Sequence, residues 1–121
     1  IQMTVTSIVI QSLLILYYLF SGTAKVVGAK YWVDIFSTLK IPQWFRVVTG
    51  FVQLLGAAVL ILGYWEEDAI AWGGVWLGIT MLAAFAAHIR VRDSIGKSMP
   101  PVVFLVLIVI LTIMNADGLN L

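Results

Sequence analysis

The chain has 121 residues, 62% of them hydrophobic and 11% charged, with a mean hydropathy of +1.06. A soluble domain is about 45–50% apolar and about 25% charged, so this chain has too little charge to cover a soluble core and reads as a membrane protein. With no cysteine and a formal net charge of +1, it excludes disulfides, thiolate metal sites, protein-held iron–sulfur clusters and dithiol redox chemistry, and it gives no basic cluster for a nucleic-acid partner.

The apolar runs are continuous rather than alternating, which argues against a membrane β-barrel and for helices of roughly 20 residues each. Four fit within these 121 residues, with short connections and no extramembrane domain between them. The expected fold is therefore an all-α, four-transmembrane-helix bundle. The first span covers about residues 4–22 and carries Gln11 and Ser12. Without a basic start or a small-residue cleavage site behind it, it reads as a retained span rather than a removable signal peptide. Between Ser21 and Arg46, the residues Tyr31, Trp32, Ile35, Phe36 and Leu39 recur at helical spacing among Lys30, Asp34 and Lys40. That pattern predicts a short amphipathic helix lying in the interface, read as an anchor in preference to a partner-docking element. The second span covers about 46–65 and ends at a Glu66-Glu67-Asp68 turn. The third covers about 69–88 and ends at His88. A charged loop follows, and Pro100 and Pro101 are expected to open the fourth span, 100–115, because proline suits the first turn of a helix.

All seven Lys and Arg residues fall in loops one (Lys25, Lys30, Lys40, Arg46) and three (Arg90, Arg92, Lys97). The positive-inside rule then places both loops in the cytoplasm and both termini outside the cell (inner) membrane. Tyr64, Trp65 and Trp72 would form the outer aromatic belt, and Tyr17, Tyr18, Trp44 and Phe45 the inner one.

Polar groups tolerated at depth mark where function is to be sought. Lys25, Ser21, Tyr18 and Gln11 share one face of span one, Arg46, Thr49 and Gln53 one face of span two, and His88 and Thr80 one face of span three. Gln53 lies about 10 Å deeper than Arg46, and Thr80 about 12 Å deeper than His88, at 1.5 Å per residue. These depths predict a pocket in the inner-leaflet half, with Lys25, Arg46 and His88 around its mouth and Gln53, Thr80 and Tyr18 lining the interior. Each residue also has a plainer role. Lys25 and Arg46 fit as snorkelling anchors, His88 as a partner for the last carbonyls of its helix, and Gln53 as an interhelical hydrogen bond worth about 0.6–2 kcal/mol. Gly50, Gly56, Gly74 and Gly78 are read as sites of close helix approach. No metal site is expected, since three convergent ligands are not visible, and a single histidine cannot provide bis-histidine haem ligation within one protomer.

The stretches Phe20-Ser21-Gly22-Thr23-Ala24-Lys25, Gly50-x-x-Gln53-x-x-Gly56, Leu62-Gly63 and Met81 to His88, in this order and spacing, resemble the DoxX-like membrane proteins. The resemblance covers nearly the whole chain and implies a small four-helix bacterial or archaeal membrane protein. Some relatives are described as subunits of thiosulfate:quinone oxidoreductase or of membrane oxidoreductase complexes in oxidative-stress defence, and distant vertebrate relatives as assembly chaperones for receptors. Gly22, Lys25 and His88 match family positions. Gln53 departs from it, because family members frequently have glutamate there, and the change removes the obvious proton carrier from the membrane interior.

The expected function is that of a membrane subunit or accessory protein of a quinone-linked redox system, with a pocket for a quinone or lipid headgroup. The sequence leaves open whether it is an enzyme: a self-sufficient one is not expected, and an oxidoreductase subunit is the enzymatic reading. A tightly bound cofactor is not expected, and a quinone is the candidate ligand. The expected partners are the lipid bilayer and either further copies of the chain or a larger membrane complex, with no nucleic acid. The alternative is a non-catalytic scaffold or assembly factor, and a transporter ranks last, for want of a repeat or an intramembrane acid. The orientation has a direct test: a reporter fused after Leu121 is expected to be active outside the cell, and cytoplasmic activity would overturn the topology.

Overall fold

The computed structural model describes residues 4–119. Five α-helices follow one another: α1 (Val5–Val27), α2 (Lys30–Thr38), α3 (Gln43–Leu62), α4 (Asp68–Arg90) and α5 (Ile95–Met114), with a 3-10 turn at Ala116–Leu119. Helices α1, α3, α4 and α5 are long and apolar enough to cross a membrane, and α2 is the short helix expected between the first two. Helix α1 packs along α3 and α4 along α5, α3 against α4 joins the two pairs, and α5 touches α1. The core is an apolar column that includes Leu14, Leu60, Ile70, Leu77, Ile108 and Leu111. Outside it, Leu13, Phe20, Phe51, Leu82 and Ile113 stay exposed, as lipid-facing residues of a membrane bundle should.

The helix ends differ from the sequence expectation in ways that matter for function. Thr4 caps α1 by accepting from the Ser7 N–H at 3.1 Å. The helix then runs beyond residue 22 to Val27, where Gly28 turns left-handed (φ +79°) and the Ala29 N–H closes on the Ala24 carbonyl at 3.0 Å. Glycine adopts that turn without a Cβ clash. Lys25 therefore belongs to the last turn of a membrane helix and not to a loop. Helix α5 also starts earlier than expected. Ser94 accepts from the Lys97 N–H and caps it, so Pro100 and Pro101 fall within the second turn instead of opening the helix. A serine cap satisfies an orphan donor of the first turn, whereas proline merely dispenses with one. The two prolines leave the Gly96 and Lys97 carbonyls without their helical donors, at the charged end of the bundle.

With lipid tails as apolar as leucine, close backbone approach and hydrogen bonds hold such helices together. Gly22 and Gly50 meet where α1 crosses α3: a Cβ on Gly50 would lie 2.7 Å from the Gly22 carbonyl oxygen and 2.7 Å from Val26 Cγ2. Gly56 likewise admits Leu77. Gly78 has no such role, since its Cβ would meet Ile108 at an ordinary 3.5 Å. At the end of the bundle remote from Lys25, Gln11 Nε2 donates to the Leu60 carbonyl (2.8 Å), Ser12 and Tyr64 share a 2.5 Å hydroxyl contact, and Asn115 Nδ2 donates to Ser7 Oγ (3.0 Å). Gly50→Val should therefore destabilise the detergent-solubilised protein by overpacking, on the order of 1–3 kcal/mol. Gly78→Ala should leave the melting temperature unchanged or slightly raised, because alanine favours a helix by about 1 kcal/mol. Equal melting curves for the two variants would refute this account of the α1–α3 crossing.

Candidate functional site: a polar cavity at the basic end of the bundle

The basic residues cluster where α1 and α4 end and α3 and α5 begin, and there the helices part around a cavity of about 660 Å³. Helix α2 lies along it, with Phe36 and Leu39 buried and part of its wall. The short helix is thus a cover for the cavity as well as an amphipathic element. Its far end is tied to α4, because the Arg90 guanidinium donates to the Leu39 carbonyl.

Inside the cavity, Lys25 is 4% exposed. Its Nζ donates to Ser21 Oγ at 2.7 Å and to Gln53 Oε1 at 2.9 Å, and it lies 3.5 Å from the centre of the Trp32 ring. Ser21 Oγ in turn donates to Gln53 Oε1 at 3.2 Å. Each partner is delivered by a separate local cause. Ser21 is one helical turn before Lys25, Gln53 is carried in by the Gly22–Gly50 crossing, and Trp32 is brought back over Lys25 by the left-handed turn at Gly28. Position near the C-terminus of α1 also suits a cation, which faces the carbonyl end of the helix dipole. An ammonium has donors only, so the atom of Gln53 that faces it must be the carbonyl oxygen. That oxygen accepts two bonds, and Gln53 Nε2 makes none among the described residues.

Four of the six residues expected at the pocket, Lys25, Gln53, Thr80 and His88, line this one cavity. Thr80 lies on the α4 wall and donates its hydroxyl to the Trp76 carbonyl of its own helix at 2.9 Å. His88 Nδ1 lies 2.8 Å from Asp93 Oδ2. An ionised carboxylate only accepts, so Nδ1 carries the proton. The other two residues are elsewhere. Arg46 does not line the cavity. Its guanidinium donates to the Lys25 carbonyl and to Gln43 Oε1 (2.8 Å), closing the end of α1. Tyr18 is fully buried in the core, and its hydroxyl has no hydrogen-bond partner among the described residues. It is therefore neither a cavity residue nor part of an interfacial belt. The neighbouring Tyr17 takes the wall position, stacked on Phe104 with ring centres 3.9 Å apart. Lys25 itself is deeper than a mouth residue, and it does not snorkel.

The sequence placed Trp32 only on the amphipathic helix and Asp93 only in the charged loop, because each meets its partner across a helix end. Helical spacing relates residues on one face of one helix, and neither pair is of that kind. The hydrogen bond from His88 holds the Asp93 carboxyl below the usual carboxylate range. A carboxylate with a lowered folded-state value stabilises the fold above its unfolded value, about pH 3.9, and that contribution is lost as pH falls through the folded value. Asp93→Asn should thus lower the melting temperature at neutral pH, and the gap from the parent should close as the pH drops below about 4. A gap independent of pH would show that the ionised Asp93 carboxylate is not its source.

Residues 9–111 match the model of the DoxX-like family. The uncharacterized protein YdgD of Bacillus subtilis (strain 168) is 29% identical over 101 residues, covering 83% of this chain and 89% of that protein. No solved structure matches the chain. With four apolar helices of spanning length and a family match across most of its residues, the chain is a multi-pass membrane protein and belongs to the DoxX-like family.

Proposed function

We propose that the protein is an accessory subunit of a quinone-linked membrane redox system, and that its cavity takes the headgroup of a quinone or lipid. The observation that carries this reading is the direction of the hydrogen bonds around Lys25. Both acceptors in the network, Ser21 Oγ and Gln53 Oε1, are already engaged, while Gln53 Nε2 remains as a donor. A cavity wall that offers donors suits a ligand with acceptor oxygens, such as quinone carbonyls or lipid headgroup oxygens. The remaining wall is largely apolar and aromatic, with Phe45, Val52 and Phe104 among its residues, which suits an amphiphile better than a sugar or nucleotide.

The chain's part in such a system is binding and positioning. Electron transfer would belong to the quinone and to a partner. The bilayer orientation that accompanies this reading puts the basic end at the cytoplasm. Further copies of the chain or a larger redox complex would pack against the lipid-facing helices. The test is native mass spectrometry of protein purified in a mild nonionic detergent and incubated with decylubiquinone. Parent protein should retain the quinone. Gln53→Leu should reduce retention about two- to tenfold, as the loss of one hydrogen bond of about 0.5–1.5 kcal/mol implies, and His88→Ala should reduce it as well. Retention unchanged in both variants would remove the pocket reading.

A further inference from the structure

Lys25 is a charge without a counter-charge. Among the described residues its nitrogen has no carboxylate within 4.0 Å, and Asp93, one of the two carboxylates on the cavity wall, is engaged by His88 Nδ1. Asp34, the other carboxylate on the cavity wall, is exposed on α2, on the opposite flank of that helix from Phe36. Ser21, Gln53 and the Trp32 ring are neutral: they direct hydrogen bonds and π density at the ammonium but cancel none of its charge. An enclosed ammonium held only by neutral groups is costly, and a carboxylate or phosphate oxygen is what relieves it.

The cavity wall formed by α3 and α4 is apolar: Val48 and Ile79 both line it, and they are 42% and 63% exposed. A soluble anion gains nothing from such a wall, but an amphiphile can lay its tail against it. Lys97, the other ammonium on the wall, is exposed, so Lys25 is the one enclosed positive charge, which matches a carboxylate better than a phosphate monoester.

We infer that the cavity binds a long-chain carboxylate, with its headgroup on Lys25 Nζ and Gln53 Nε2 and its tail against the wall formed by α3 and α4. This rests on the reading that the cavity takes the headgroup of an amphiphile, and adds that the site selects by charge. In a nonionic detergent, at a pH where the acid is ionised, native mass spectrometry would compare palmitate, methyl palmitate and decylubiquinone. Palmitate should bind at least about tenfold more tightly than its methyl ester, which has the same tail and no charge. Lys25→Gln should abolish that preference while leaving the ester's affinity in place. Gln53→Glu should abolish it too, by placing a carboxylate beside Lys25 in an intact fold, so the test does not depend on one variant. A large excess of acetate should leave palmitate bound. Equal affinity for acid and ester in the parent protein, a preference that survives both substitutions, or displacement by acetate would each overturn the inference. If the ester or the quinone bound as tightly as palmitate, the amphiphile reading alone would stand. Failure of all three probes to bind would remove both.

Discussion

The enclosed ammonium of Lys25 is the interaction on which the basic end of this bundle depends. A charge within a membrane helix must turn to water, to a partner or to a cavity, because hydrocarbon provides no hydrogen bonds. Here it turns inward, and the surrounding elements are arranged around that choice. Helix α1 continues far enough to present Lys25 on the same face as Ser21, then stops at Gly28, which returns the chain so that Trp32 covers the nitrogen. The Gly22–Gly50 crossing brings α3 close enough for Gln53 to reach it. Arg46 satisfies the carbonyl of Lys25 itself, so the same residue is held at both its side chain and its backbone.

The two ends of the bundle treat polarity differently. At the far end, Gln11 bonds to the Leu60 carbonyl, Ser12 to the Tyr64 hydroxyl and Asn115 to Ser7. Such neutral interhelical bonds add modestly to packing, about 0.6 kcal/mol on average in measured cases. At the basic end the helices part, α2 covers the gap, and the polar groups retain unused donors. The first arrangement holds helices together, whereas the second leaves room for a molecule.

Gln53 sets the charge balance of the cavity. At position 53 this chain has a neutral amide with its oxygen 2.9 Å from an ammonium. A carboxylate in that place would form an internal ion pair and close the charge balance of the site. The amide keeps the hydrogen bond and leaves the positive charge available to something else. A glutamine has no titrating group, so this position can hold the ammonium but cannot itself carry a proton.

Much of this was legible in the sequence because membrane crossing imposes simple demands on composition. Four apolar runs, one amphipathic run of helical period and seven basic residues confined to two connections determined the four spans and the short helix between the first two, and set the expected orientation. Helical periodicity and a fixed rise per residue also brought Lys25, Gln53, Thr80 and His88 to one region, as the cavity shows. What the sequence left open was how the helix ends and crossings place each side chain. A lysine at the end of an apolar run reads as a snorkelling anchor, and only the left-handed turn at Gly28 and the α1–α3 crossing decide that it points inward. Tyr17 and Tyr18 are adjacent and similar, and only the roll of α1 within the bundle put Tyr17 on the cavity and Tyr18 in the core. Contacts across a helix terminus, Trp32 on Lys25 and Asp93 on His88, follow no periodicity, so only the tertiary structure could assign them.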